Sequence, residues 1–163
     1  MKKILVIGCP GSGKTTFSEG LHGRTGLPLI YLDAIWHRPD RTHISREAFD
    51  ARLTEIDGLD AWIMDGNYNA TLEWRISACD LLIFLDYPAE VCLEGVRARR
   101  GQKRSDIPWV EEGDDEEFLA FIRAFETESR PRILELIGKY PEKTVVTFRT
   151  REEAERYLRK LEL

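Results

Sequence analysis

Short apolar runs recur along the chain, each closed by a glycine or an acidic residue and followed by a stretch of helical periodicity. Residues 4–7 form the first run and stop at Gly8. Residues 29–32 stop at Asp33, 62–64 at Asp65 and 81–85 at Asp86, and 145–148 close the series. Near-continuous apolar runs suit strands buried on both faces, as in a parallel sheet. Between them, Ser45 is placed to cap a helix carrying Ala48, Phe49, Leu53 and Ile56. Pro88 opens one with Val91, Leu93 and Val96 inward. Asp114 precedes a stripe of Phe118, Phe121, Ile122 and Phe125. The stripe continues through Ile133, Leu134 and Ile137 past a break or kink at Pro131. Thr150-Arg151-Glu152-Glu153 reads as a capping box for a last helix with Ala154, Tyr157, Leu158 and Leu161 inward. Five strands alternating with helices predict an α/β fold, a three-layer α/β/α sandwich with right-handed crossovers.

At 163 residues the pattern fits one domain, 1–163, large enough to bury a core without staples. A chain 42% hydrophobic and 33% charged is neither disordered, collagen-like nor a disulfide scaffold. The balance of 24 basic and 29 acidic residues, net −5, argues against a delocalised grip on duplex DNA. Cys9, Cys79 and Cys92 are widely spaced and form no zinc pattern. Free thiols and the short apolar run after Met1 lead us to expect a cytoplasmic protein with no membrane span. A monomer is the default expectation.

The chemistry begins where the first run ends. Gly8-Cys9-Pro10-Gly11-Ser12-Gly13-Lys14-Thr15 matches G-x-x-x-x-G-K-[ST] in full, after a buried strand and before a helical pattern over 14–21. Backbone N–H groups of such a loop, with the positive end of the following helix, enclose a phosphate. Lys14 is placed to bridge β and γ oxygens, and the Thr15 hydroxyl to bind Mg²⁺. Thr16 extends the nucleotide-binding set. Cys9 fills a variable position.

Three strand ends carry an aspartate, where open parallel sheets place their ligands. Phosphoryl transfer uses carboxylates there to orient Mg²⁺ or to accept a hydroxyl proton, whereas helix capping and chain turning use the same residues. Asp65 is the metal candidate because Gly66 beside it admits a ligand. Asp33 is the candidate base or acceptor-orienting group, and Asp86 reads as a strand-to-helix corner. Arg97, Arg99, Arg100, Lys103 and Arg104 gather positive charge ahead of the acidic stretch 111–117. They fit arginines on a mobile lid that neutralise transferring phosphate, a dipole-complementing helix end, or a nucleic-acid patch. Arg75 is a candidate fork for an acceptor phosphate or carboxylate, with a surface salt bridge as the alternative. Trp36, His37 and His43 flank the acceptor region.

These motifs resemble the nucleoside-monophosphate-kinase-like branch of P-loop NTPases, and most closely adenylate-kinase-related bacterial proteins known as DNA topology modulation proteins. The matching stretches are GCPGSGKTTFS at 8–18, LPLIYLDAIWH at 27–37, WIMDGNYNATLEWR at 62–75, LLIFLDYP at 81–88, FLAFIRAF at 118–125 and Arg130-Pro131-Arg132. The resemblance implies a five-stranded parallel sheet of order 2-3-1-4-5, an acceptor-binding region at 34–60 and a lid at 99–115. It implies that Asp65 lies near Mg²⁺ and that Asp33 faces the acceptor or metal. Two positions depart from it. Asn67-Tyr68-Asn69 stands where adenylate kinases carry Phe-Pro-Arg, and Gly95 stands where related kinases carry an arginine against the adenine.

The expected activity is transfer of the γ-phosphoryl of ATP to a small acceptor, a nucleotide or hydroxy metabolite, with Mg²⁺. In that reading Arg99, Arg100 and Arg104 stabilise the transition state, and Asp33, Trp36 and Arg75 bind the acceptor. The alternatives are a nucleotide-binding regulator of DNA topology and a slow hydrolase.

Overall fold

A computed structural model describes residues 1–111, 113 and 115–161. Five strands run parallel: β1 (Lys3–Gly8), β2 (Leu29–Tyr31), β3 (Trp62–Asp65), β4 (Leu81–Leu85) and β5 (Thr144–Phe148). They pair in the order β2-β3-β1-β4-β5, as the resemblance implied. Register aligns the carboxyl ends: Val6 lies opposite Asp65, which lies opposite Tyr31, and Gly8 opposite Leu85, opposite Phe148. β3 and β4 are fully buried, and β1 from Ile4 onward, as their apolar runs require. The edge strands β2 and β5 are only partly covered, because each has a neighbour on one side alone.

The helices follow from crossover handedness. β1 connects leftward to β2 through α1 (Lys14–Thr25), whereas β3 connects rightward to β4 through α4 (Asn69–Ala78). Right-handed crossovers in opposite directions put α1 and α4 on opposite faces. The helix α8 (Arg151–Lys160) packs beside α1, with Phe17, Phe148 and Tyr157 in ring contact. On the other face, α5 (Ala89–Arg99), α6 (Glu116–Glu128) and α7 (Arg130–Gly138) pack in succession, and α7 touches α4. The loops leaving β1 and β3 therefore diverge to opposite faces and open a crevice between them.

Local chemistry sets the helix ends. Ser45 Oγ accepts from the Ala48 N–H at the start of α3 (Arg46–Asp57), and Thr150 Oγ1 accepts from the Glu153 N–H at the start of α8. The expected break near Pro131 falls at Ser129, with Pro131 in the first turn of α7. Asp115 caps α6 by accepting from Phe118 N–H; Asp114, expected ahead of that helix, lies outside the described residues. The α6 stripe is rotated from the sequence reading. Leu119, Ile122 and Phe125 are buried, whereas Phe121 is exposed. The second apolar run also ends early. Leu32 opens a short helix, α2 (Leu32–Trp36), so Asp33 sits in a helical first turn and not at a strand tip. Leu32, Phe49 and Leu53 form a small separate core, with Ile35 and Trp36 packed against it at helical spacing.

Candidate active site

The carboxyl edge of the sheet opens into one cavity of about 1150 Å³. Its floor is the loop between β1 and α1, from which Pro10, Gly11, Gly13, Lys14, Thr15 and Thr16 face the space. Gly11 and Gly13 hold φ of 84° and 91°, left-handed values that turn the chain around the loop's interior. Lys14 folds back, its Nζ 3.5 Å from the Cys9 carbonyl, so its charge lies over the ring of amides. Gly8 and Ser12 frame the loop from behind, and Ser12 is buried. Cys9 is buried and faces away from the cavity. Its thiol meets Cys92 of α5, and that hydrogen bond and burial raise its pKa. A protonated, enclosed thiol is packing and not a nucleophile.

Thr15 joins the carboxylates. Its Oγ1 donates to Asp65 at 2.8 Å and stands 3.4 Å from Asp106. Burial raises the Asp65 pKa to about 6, against the opposing pull of Lys14 and the Thr15 hydrogen bond. Asp106 is buried and comes from the segment between α5 and α6, where it pairs with Arg104 at 2.7 and 2.9 Å. Asp33 reaches the same cavity from α2, and Tyr68 Oη donates to its Oδ1 at 2.5 Å.

Arginines stand beside these carboxylates. Arg99, Arg100 and Arg104 all line the cavity. Burial and the neighbouring Arg104 charge lower the Arg99 pKa. For Arg104, the desolvation that would lower its pKa is outweighed by its hydrogen bonds and attraction to Asp106. Glu111 shares itself between the pair, 3.8 Å from Arg99 and 3.2 Å from Arg104. Two guanidiniums so placed gain from an anion between them.

Two of the acceptor candidates are not on the cavity. Arg75 is fully buried, and its guanidinium donates to the carbonyls of Gly66, Asn67 and Tyr68. With these donors spent on backbone inside the protein, it does not present a fork to an acceptor. It braces the loop after β3 instead, where Tyr68 holds a φ of 37°. Trp36 likewise turns inward, stacked on His43 at 4.3 Å and edge-on to Phe49. It supports α2 from behind Asp33. Asp86 is not at the cavity either; Arg130 and Arg149 enclose it. From the region 34–60, His37 and Arg41 do face the cavity, joined there by Trp109. The His37 and Trp109 rings meet edge-on, and the Arg41 guanidinium lies 5.5 Å over the Trp109 ring.

Further residues that line the cavity were not marked as site candidates by the sequence. Asn67 pairs its side-chain amide with both the N–H and the carbonyl of Gly8, at 3.1 and 2.7 Å, and so ties the β3 loop to the phosphate loop. Asp106, Arg41, Trp109 and Arg151 belong with it. Among the described residues no helix is long and apolar enough to cross a membrane.

No family model matches the chain, and no curated protein matches it in sequence. Solved structures do match it in shape. A shikimate kinase from Bacteroides thetaiotaomicron superposes with a TM-score of 0.62 at 18% identity, over 98% of this chain and 95% of its own. The shikimate kinase from Acinetobacter baumannii, in complex with shikimate, gives 0.63 at 19%, over 98% and 92%. A deoxyadenosine kinase from M. mycoides with bound dATP gives 0.55 at 14%, over 99% of both chains. What this likeness establishes is the fold: a five-stranded parallel sheet of order β2-β3-β1-β4-β5 between helices, shared with these structures.

Proposed function

We propose that the protein transfers the γ-phosphoryl group of ATP to the hydroxyl or phosphate oxygen of a small acceptor. The observation that carries this reading is the convergence of three chemistries in one cavity. Lys14 and the loop amides supply a triphosphate cradle, Asp33 a carboxylate facing the same space, and Arg99, Arg100 and Arg104 a cationic wall. The fold shared with shikimate kinases and a deoxyadenosine kinase supports it.

The residues present suit Mg²⁺. Thr15 brings a hydroxyl together with Asp65 and Asp106, all hard oxygen donors. Among the described residues no cluster of three or more His, Cys, Asp or Glu makes a closed metal cage. One or two carboxylates completed by substrate phosphates is the way Mg²⁺ is ordinarily held in such sites. When bound, the ion would neutralise charge on the β and γ oxygens.

The chain's own residues do the rest. Lys14 and the loop amides fix the β and γ phosphates. Asp33, oriented by the Tyr68 hydroxyl, accepts the proton of an attacking hydroxyl as the new O–P bond forms and the bond to the β-phosphate oxygen breaks. Arg99 and Arg104 leave Glu111 for the transferring group and carry its charge. The segment 99–115 acts as a lid, with Trp109 against Arg41 and His37 closing the acceptor side. Hydroxylated acceptors bearing an anionic group suit a wall this cationic.

The test is a panel of nucleosides, nucleoside monophosphates and hydroxy acids incubated with γ-labelled ATP. One acceptor should take label, and Asp33→Asn should lower kcat for it about 10²–10⁴-fold. Label released only to water, for every acceptor, would overturn the transfer reading.

A further inference from the structure

Arg75 carries a charge into the interior of the protein, where among the described residues no carboxylate meets it. Burial pulls its pKa down from 12.5 to about 9. An apolar side chain of similar volume would fill that space at less cost. The guanidinium is instead spent on one short segment. Nε donates to Thr71 Oγ1 at 3.1 Å, within the same helix. Nη1 donates to the Gly66 carbonyl at 2.9 Å, and Nη2 to the carbonyls of Asn67 and, at 3.1 Å, of Tyr68. Consecutive carbonyls thus converge on one buried cation.

The backbone that allows this convergence is unusual. Gly66 and Tyr68 both hold positive φ, 149° and 37°, and for Tyr68 that conformation is strained. The side chains of the segment then reach two other elements. Asn67 takes both the N–H and the carbonyl of Gly8, which opens the phosphate loop, at 3.1 and 2.7 Å. Tyr68 Oη donates to Asp33 Oδ1 at 2.5 Å. A Cβ on Gly66 would stand 3.0 Å from Leu32, the residue before Asp33, so the segment also abuts the start of α2. One loop therefore touches the phosphate cradle and the Asp33 carboxylate at once, and Arg75 holds that loop in shape.

We propose that Arg75 is a positioning residue of the transfer site, fixing the phosphate loop and Asp33 relative to each other through the segment 66–68. The proposal rests on the reading that a triphosphate lies on the phosphate loop and that Asp33 faces the acceptor. Transfer needs its groups held within about 0.5 Å of the productive geometry. Here they come from separate elements, the loop after β1 and the helix α2. The loop after β3 joins the two by side-chain hydrogen bonds, and Arg75 stiffens the joint from inside the protein.

Coupling separates positioning from stability alone. Wild type, Arg75→Lys, Asn67→Ala and the double variant are titrated by calorimetry with magnesium and the β,γ-imido analogue of ATP, at a temperature where each is folded. Each single variant should lose about tenfold in affinity, the order of one hydrogen-bonded tie. The double variant should lose no more than about twofold beyond that, because both changes break the same path. The Asp33 side is read without an acceptor. In urea, Tyr68→Phe and Asp33→Ala should be coupled by about tenfold in the unfolding constant, and that coupling should shrink to within about twofold of none in the Arg75→Lys background. Arg75→Gln removes the buried charge together with the fork, and it takes the place of Arg75→Lys if the lysine variant does not fold. Wild-type nucleotide affinity in the Arg75 variant, multiplied losses in the double variant, or a Tyr68–Asp33 coupling indifferent to Arg75 would overturn the proposal and leave the donor reading standing. A wild type that binds no analogue would overturn the donor reading, and the proposal with it.

Discussion

Asp65 illustrates how a single buried carboxylate is set by its surroundings. It lies at the end of a fully buried strand, so desolvation lifts its pKa from 3.8 to about 6, and Lys14 and Thr15 recover only part of that cost. Because the native state then holds the proton to higher pH than the unfolded chain, its contribution to stability is greatest below about pH 4. That contribution is lost as pH rises through about 6. In metal-free protein, the difference in urea stability between wild type and Asp65→Asn should therefore grow against wild type from pH 4 to pH 7, by up to roughly 3 kcal/mol. A difference independent of pH would mean that the carboxyl is not held in this way. The sequence marked Asp65 because a motif, a strand end and Gly66 coincide there. It could not mark Asp106, which reaches Thr15 across 91 positions. Arg151 lies 140 positions from Gly11, and within its own neighbourhood it is one residue of a capping box.

At the scale of elements, the loop after β3 is the least self-sufficient part of the site. It carries Asn67 and Tyr68, the latter in a left-handed conformation that costs a non-glycine residue on the order of 1 kcal/mol. Its three carbonyls from 66 to 68 have Arg75 as a shared donor. Arg75→Lys removes the fork that spans them and should cost about 2–4 kcal/mol of stability in a denaturant titration. A loss under about 0.5 kcal/mol would place Arg75 back among surface residues. The arginine was visible in the sequence and its role was not, since nothing local announces that carbonyls 7, 8 and 9 residues earlier lack partners. The strands were more legible. A parallel sheet buries its central members on both faces, and this leaves an unbroken apolar run. Where Leu32, Ile35 and Trp36 pass from strand to helical spacing within one apolar stretch, the boundary was blurred and Asp33 was assigned to the wrong element.

Across the whole molecule, the sheet order and crossover handedness decide where everything else meets. β1 and β3 deliver the loop and Asp65 to one crevice, α2 brings Asp33, and the end of α5 with the segment after it adds the arginines. At the cavity wall opposite charges pair directly, Glu111 with Arg99 and Arg104 and Asp106 with Arg104. In the proposed function, phosphate replaces these internal ion pairs. The fold was readable from the recurring runs and the loop motif. The side of the cavity around His37, Arg41 and Trp109 was not, because stretches far apart in the chain assemble it.

The most direct measurement is calorimetric titration of wild type and Lys14→Ala with the magnesium complex of the β,γ-imido analogue of ATP. We expect saturable binding by wild type. We expect a loss of at least about tenfold in the variant, with its melting temperature unchanged. Equal affinity in the two proteins, or no heat from wild type, would contradict the assignment of the loop as the triphosphate site.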